Sequence, residues 1–370
     1  MIDSFINIYL ASPNLTWGAY SLILTSLLFI IIIKSWSVLP GLKKYVHYSG
    51  VQRIHLGEVP RLAGVLIYIG FIFYWFGSGY SFFSTLLGCI LISSIPLLVT
   101  SLKEDLFQSS PPSHRLLSIF ISAGLFLYLY DGLEFPSIDL PFLSIIFNNY
   151  YLTFIFFAFA IASHANGVNM IDGANGLAAM TIFSQIAGIT FLSFASGDID
   201  LSYISLFLMS FVFIFLLFNY PWGKIFLGDA GAYFFGFITG VLCIIFFGRH
   251  PELSPWNAIL LLFYPVMETI FSTFRKLLYE KTSPLEPDEH HLHLKLFFII
   301  NVSSVKGSRI SNGLVMPFLS IIWLTPIALL PWVYFSPFLI MIALLILIII
   351  YFGFYWALPR KIDFEKNLKN

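Results

Sequence analysis

Long apolar runs broken by short polar segments set the pattern of this chain. A helix that crosses a bilayer needs about 20 mainly apolar residues. Hydropathy predicts eleven such stretches, at roughly 17–33, 62–76, 81–100, 116–130, 146–163, 176–195, 201–218, 230–248, 256–273, 310–330 and 337–357. The fold class expected is therefore all-α, a polytopic membrane helical bundle of about 11 transmembrane helices. I-L-T-S-L-L-F-I-I-I-I and L-I-M-I-A-L-L-I-L-I-I-I, near the two ends, are the plainest of these runs.

Lysine and arginine stay on the cytoplasmic side of such bundles, so their positions orient the set. With the N-terminus periplasmic and the C-terminus cytoplasmic, all of the 19 basic residues except Arg249 fall on the inner face. The inner face then gathers five polar segments, about 34–61, 101–115, 164–175, 219–229 and 274–309, and the outer loops are short. No repeat or linker divides the chain, so residues 1–370 read as one membrane domain with five cytoplasmic loops.

Composition agrees and removes the soluble alternative. Hydrophobic types make up 58% and charged types only 10%, against about 25% charged in soluble domains, and the mean hydropathy is +0.88. The formal net charge of zero excludes a strongly basic nucleic-acid binder. Cys89 and Cys243 both sit in apolar runs and offer neither a disulfide framework nor a thiolate metal site.

The inner segments carry the candidate chemistry. The first holds Arg53 and Arg61, whose guanidinium groups suit phosphate oxygens. In the second, Glu104 and Asp105 stand side by side at the end of a predicted helix, with Arg115 following. Acidic groups there oppose the helix dipole, which favours a functional reason for them, either Mg²⁺ ligation or base catalysis. The third segment, His164–Leu177, packs Asn166, Asn169, Asp172 and Asn175 among three glycines. That is more polar side chains than one helix cap requires, and glycine permits close approach to a ligand. In the fourth, Lys224 precedes Asp229 at the start of a helix, a place that suits a cap or a cation beside a phosphate. The fifth carries Asp288, Glu289, His290, His291 and His293. Zinc is one reading of that histidine cluster, but the flanking bases favour phosphate contact or proton transfer.

Carboxylates, carboxamides, histidines and arginines on one membrane face suit phosphoryl transfer between a water-soluble donor and a lipid acceptor. Oxygen-ligated Mg²⁺ is the metal that fits this side-chain set. In chain order, R-I-H, V-P-R-L-A-G, E-D, N-x-x-N-x-x-D-G-x-N-G-L, F-L-G-D-A-G and P-D-x-x-H-L-H resemble the polyprenyl-phosphate N-acetylhexosamine-1-phosphate transferase superfamily. The motifs span about residues 50–295, and their ordered set is far more specific than any one of them.

The resemblance implies an enzyme of the bacterial inner membrane with its active site facing the cytoplasm. It would transfer an N-acetylhexosamine-1-phosphate from a UDP-sugar to undecaprenyl phosphate, release UMP and start a cell-surface polysaccharide of the O-antigen or capsule type. Mg²⁺, with Mn²⁺ as an alternative, would be the cofactor. Undecaprenyl phosphate, a UDP-N-acetylhexosamine-type nucleotide and membrane lipids would be the partners, no nucleic acid is implied, and a homodimer is left open. By the same resemblance Asp229 and Asp172 would serve the metal. Asp105 would be the base acting on the lipid phosphate, with Glu104 beside it. Asn169 and Asp172 would organise the catalytic loop. His291, His293, Asn175 and Lys224 would bind substrate, and Arg53, Arg61 and Arg115 would neutralise its charge.

Four positions depart from the commonest pattern: Glu104 and Asn175 each replace an Asp, Leu294 replaces a His and Ala63 replaces a Gly. They place the chain nearer the O-antigen or capsule branch than the peptidoglycan branch. Phospho-N-acetylmuramoyl-pentapeptide transfer is the alternative activity. From other classes, a lipid or solute transporter and a histidine-ligated membrane metalloenzyme remain as rivals. A transporter would place ionisable groups and inverted repeats near the midplane, and neither is visible here.

Overall fold

The computed structural model describes residues 13–38, 59–79, 82–138, 144–286, 288–303 and 309–359. Twelve longer helices carry the chain: α1 (Pro13–Ser35), α2 (Ala63–Gly77), α3 (Phe82–Ser93), α4 (Ile95–Phe107), α5 (Pro112–Leu129), α6 (Tyr150–Ile171), α7 (Leu177–Ala195), α8 (Ile199–Asn219), α9 (Gly228–Arg249), α10 (Phe263–Phe274), α11 (Leu292–Ser303) and α12 (Pro337–Ala357). Shorter pieces lie between them, and no strand occurs among the described residues.

The all-helical membrane class is the one expected, but the spans are fewer and less regular than hydropathy alone gives. Among the described residues, seven helices, α1, α5 to α9 and α12, are long and apolar enough to cross a membrane. Two bent pairs raise the number to nine: α3 with α4, bent by 50°, and Asn312–Phe318 with Ser320–Val333, bent by 45°. Of the eleven expected spans, α2 runs for only 15 residues. The stretch at 256–273 divides at Leu262 into Trp256–Leu261 and α10. Prolines explain two of the breaks. Pro96 and Pro265 lie in the first turns of α4 and α10, where a missing N–H is harmless, whereas inside a continuous helix it would break the ladder.

At the centre stands α9, whose apolar window is entirely buried. A helix apolar on every side belongs inside a bundle, and Phe234, Phe235, Phe237, Phe246 and Phe247 fill the space around it. Helices α2, α4, α6 and α7 pack against it. Gly236 brings α6 close, since a Cβ there would stand 2.6 Å from Ala165 Cα. The outer helices turn apolar side chains outward instead: Phe338, Leu345 and Ile349 of α12 are exposed, as a lipid-facing surface requires.

Polar side chains set several helix starts. Asn149, Asp198 and Ser336 each accept the backbone N–H three residues on, at 3.2, 3.0 and 3.4 Å, and so satisfy donors that a helix leaves open. At one end of the bundle, Arg249 donates to Asp198 (3.2 Å) and to the Tyr130 hydroxyl (3.1 Å), tying the ends of α5 and α9 to the start of α8. The candidate chemistry lies at the other end.

Three expected loops prove shorter than their polar residues suggest. Helix α6 continues through His164 and Asn169 to Ile171, leaving only Asp172–Gly176 as the turn of the third segment. Helix α4 likewise contains Glu104 and Asp105, and Arg115 lies inside α5. In the fifth segment, α11 takes up 292–303. Protein, not lipid, surrounds these polar turns, so the backbone can stay helical.

Candidate active site

The first and fourth polar segments are joined backbone to backbone. Phe226 N–H donates to Pro60 O (2.9 Å), Ala63 N–H to Phe226 O (3.2 Å) and Gly64 N–H to Leu227 O (3.0 Å). Gly64 faces Gly231 so closely that a Cβ on it would overlap the Gly231 Cα and nitrogen. Gly228 has φ +75°, a left-handed conformation that glycine alone adopts readily. A Cβ at Gly228 would overlap the Arg61 carbonyl and lie 2.7 Å from Asp105 Oδ2. The glycines of L-A-G and L-G-D-A-G thus bring Arg61, Asp105 and Asp229 into one cluster.

Within that cluster Asp105 is buried, and both of its oxygens face the N-terminus of α9. Oδ1 accepts the Asp229 N–H and Oδ2 the Ala230 N–H, each at 2.9 Å. Arg61 Nε lies 3.4 Å from Asp105 Oδ1. A carboxylate at a helix N-terminus satisfies orphan donors and the positive end of the dipole together. With both oxygens so engaged, Asp105 has the geometry of a brace for α9. The sequence had suggested a base, a role that needs an oxygen open to substrate.

Asp229 receives two guanidinium groups. Arg61 Nη2 donates to its Oδ1 at 2.8 Å, and Arg115 Nη1 pairs with its Oδ2. Glu104 stands behind Arg115 and adds to the negative field around it, while its Oε2 accepts the Ser110 N–H at 2.9 Å. Asp172, half-buried at the turn after α6, lies within electrostatic reach of Arg61, Asp229 and Asp105. Burial pushes its carboxyl well above the ordinary value, Arg61 works the other way, and Asp229 and Asp105 add to the rise. The three aspartates of three separate segments therefore converge at one end of the bundle.

Asn169 joins the cluster through Tyr233, to which it is hydrogen-bonded. Tyr233 is one helical turn beyond Asp229 on α9, and sequence reasoning missed it although the i,i+4 spacing was a usable signal. Asn175 is buried. Its side-chain amide donates to Pro221 O (2.9 Å) and its backbone N–H to Asn312 Oδ1 (2.6 Å). Asn219, also missed, accepts the Gly176 N–H at 2.7 Å and donates to Ile225 O at 2.9 Å. Asn175, Asn219 and Asn312 thus set the shape of the turns around the site. Lys224 is exposed at the rim, its ammonium 5.6 Å from the centre of the Trp222 ring. Arg53 lies outside the described residues.

The two histidines reach the site by packing. His291 and His293 are buried, with parallel rings 5.9 Å apart. His293 Nε2 abuts Gly173, where a Cβ would overlap it, and Nδ1 of the same ring is buried with no hydrogen-bond partner among the described residues. Burial, aided by His291, pushes the His293 pKa down to about 3 against the opposing pull of Glu268 and Asp288. The ring is therefore neutral, a hydrogen-bonding group and not a phosphate counter-charge. Arg275 pairs with both Asp288 and Glu280, closing the loop beneath the histidines. Burial raises the Asp288 pKa, but His291, the His290 N–H and Arg275 outweigh it and hold the carboxyl below its ordinary value.

The described residues contain no ready-made cage of three or more His, Cys, Asp or Glu side chains for a metal ion. The donor set nevertheless fits a hard divalent cation. Asp229 and Asp172 supply carboxylate oxygens, both cysteines lie in other parts of the bundle, and Mg²⁺ is usually held by one or two carboxylates with substrate phosphates completing its shell.

Comparison with known proteins gives these residues a context. Residues 87–247 match the family Glycosyl transferase family 4. A probable undecaprenyl-phosphate N-acetylglucosaminyl 1-phosphate transferase of Bacillus subtilis is 24% identical over 299 residues, 75% of this chain and 82% of its own length. The undecaprenyl-phosphate alpha-N-acetylglucosaminyl 1-phosphate transferase of Thermotoga maritima is 26% identical over 65% of this chain and 69% of its own. A phospho-N-acetylmuramoyl-pentapeptide-transferase of Lactobacillus delbrueckii is 29% identical over 48% of this chain and 55% of its own. With the helical bundle and the clustered motifs, these matches show a multi-pass membrane enzyme that carries a Glycosyl transferase family 4 region at 87–247 and is similar to the polyprenyl-phosphate sugar-1-phosphate transferases.

Proposed function

We propose that this enzyme transfers an N-acetylhexosamine-1-phosphate from a UDP-sugar to undecaprenyl phosphate and releases UMP. The reaction would start a surface polysaccharide of the O-antigen or capsule type, at the cytoplasmic face of a bacterial inner membrane, with residues 1–370 acting as a single domain. The observation that carries this reading is the pairing of Arg61 and Arg115 on Asp229, with Asp172 and Asp105 close by. Two polyanions must be brought together for such a transfer, and a site of alternating guanidinium and carboxylate groups suits that task.

In the reaction, an oxygen of the lipid phosphate attacks the β-phosphorus of the donor. The bond from that phosphorus to the bridging oxygen breaks, and the oxygen leaves with UMP. A phosphate monoester is largely ionised at neutral pH, with a second pKa of about 6, so the nucleophile needs little help in losing a proton. The double engagement of Asp105 by backbone N–H groups favours a holding role over proton transfer. Arg61 and Arg115 would turn from Asp229 toward the diphosphate, and His291 and His293 would meet the phosphates or the sugar. Asn169, through Tyr233, would keep the Asp172 turn in register, while Asn175 shapes the neighbouring turn. Lys224 at the rim and Arg53 would draw in the anionic substrates. Asp229 and Asp172 would hold Mg²⁺, with Mn²⁺ as a substitute. Charge neutralisation at the diphosphate is what such a cation supplies when bound.

The test is incubation of purified protein with undecaprenyl phosphate, Mg²⁺ and a panel of UDP-sugars, scoring UMP release. The expected result is lipid-dependent release with a UDP-N-acetylhexosamine, lost on chelation with EDTA and restored by Mg²⁺. Release from UDP-N-acetylmuramoyl-pentapeptide alone would favour the second reading, which the similarity to the Lactobacillus delbrueckii protein supports. Rapid exchange of UMP into UDP-sugar without lipid would replace direct attack by a covalent phosphosugar intermediate.

A further inference from the structure

One buried carboxylate has no part in the transfer site described above. Glu268 of α10 is 1% exposed and accepts three hydrogen bonds. Its Oε1 takes the Nδ1–H of His291 (3.0 Å) and the Leu292 N–H (3.2 Å), and its Oε2 takes the hydroxyl of Tyr351 from α12 (2.8 Å). Among the described residues no lysine or arginine pairs with this carboxylate, and the group within ion-pair distance of it is His291. Burying a carboxylate costs several kcal/mol before its bonds are counted, and an apolar side chain of similar volume commonly stabilises a core as well. Holding a neighbour in one state is the role that such a group serves better than a leucine does.

The neighbour is the histidine pair. An ionised carboxylate only accepts, so the His291 nitrogen that faces Glu268, Nδ1, is the donor and carries a proton. The ring of His291 then stacks on His293, and His293 meets Gly173 beside Asp172. A second tie fixes the frame: Lys295 donates to Tyr355 O at 2.6 Å and lies 3.9 Å from the centre of that ring. Helix α12 is thereby joined to the histidine segment directly at Tyr355 and, through Glu268, at Tyr351.

We propose that Glu268, held by Tyr351, is a positioning residue for the reaction: it holds the Nδ1–H and the ring orientation of His291, and through the stack it seats His293 against the Asp172 turn. This inference rests on the reading of the site as the transfer centre. Loss of a group that orients a functional histidine typically costs about 10–100-fold.

The test is a double-mutant cycle on purified enzyme, reading UMP release with undecaprenyl phosphate and UDP-N-acetylglucosamine. Glu268→Gln lowers kcat by about 10–100-fold and leaves KM for the nucleotide within about threefold. In a His291→Ala background the same change has no further effect, because its route of action is gone. Tyr351→Phe removes one hydroxyl and no ring volume. It lowers kcat less than Glu268→Gln does and is equally silent on His291→Ala, so it carries the cycle if Glu268→Gln fails to fold. Losses that multiply in the double variants overturn the positioning role, as does a wild-type rate in Glu268→Gln. A wild-type rate in His291→Ala refutes the reading of the histidines as part of the site itself.

Discussion

Replacement of Asp105 by asparagine separates a brace from a base. The carboxylate accepts two backbone N–H groups at the first turn of the central helix, both at 2.9 Å, from a position 3% exposed. Asparagine keeps one of these bonds through its carbonyl oxygen and turns an amide donor against the other N–H. Each bond to a charged acceptor contributes about 1.5–3 kcal/mol, and a buried donor left unpaired costs about 1–3 kcal/mol. These overlap, because much of the lost bond reappears as the unpaired donor. The loss of favourable charge at the helix start adds about 0.5–1 kcal/mol. The expected destabilisation of Asp105→Asn is about 3 kcal/mol. The assay is thermal unfolding in detergent beside UMP release on the same preparation. Asp105→Asn melts below wild type and loses activity in parallel, because the α9 turn that presents Asp229 loosens. An Asp105→Asn enzyme with wild-type melting and no activity would refute the bracing argument and return Asp105 to the reacting atoms.

Other outcomes follow from the same geometry. Asp229→Asn leaves both backbone bonds to Asp105 in place, so it lowers turnover by at least about 100-fold and still inserts and folds; substantial residual activity would remove Asp229 from the centre. Gly173→Ala places a methyl group on the His293 ring, lowering kcat without changing expression, and an unchanged rate would detach the histidine stack from the Asp172 turn. Gly64→Ala sets a methyl group against the Gly231 backbone, where no side chain can yield; it destabilises by more than the about 1–3 kcal/mol of ordinary overpacking, read as a lower melting temperature. Asp288 has a folded-state pKa below its ordinary value, so its stabilisation is full above the unfolded pKa of about 3.9 and fades as pH falls through the folded value. The stability gap between wild type and Asp288→Asn is therefore constant from neutral pH to about pH 4 and closes below it. A gap that widened on acidification would reverse the sign.

Much of the site was legible because its chemistry forces rare residues into apolar surroundings. Asp229 before an apolar run, Asp172 among glycines and Arg61 at a membrane entry all stood out, and they meet. Helix boundaries were less legible. Hydropathy ends a span where polar residues begin, yet α6 runs on through His164 and Asn169 to Ile171 because those turns face protein. The sequence showed Asp105 as an acidic residue at a helix end. It could not show that the helix served is α9, 124 residues further on. Arg115, grouped at first with general charge neutralisation, pairs directly with Asp229. Glu268 stood out in sequence as a lone ionisable residue in an apolar run, but its partner Tyr351 lies 83 residues away, and only the packing of α10 against α12 makes them neighbours.

The apposition of Gly64 and Gly231 constrains how the protein moves. With backbone against backbone and no side chain between them, the Arg61 segment and the head of α9 have no room to slide past one another. They travel as a single block, carrying Asp229 with them. Any opening at this end of the bundle must therefore come from other hinges, and the elbows at Ser94, between α3 and α4, and at Leu319, between the two arms of the bent 312–333 pair, are places where the bundle is already bent.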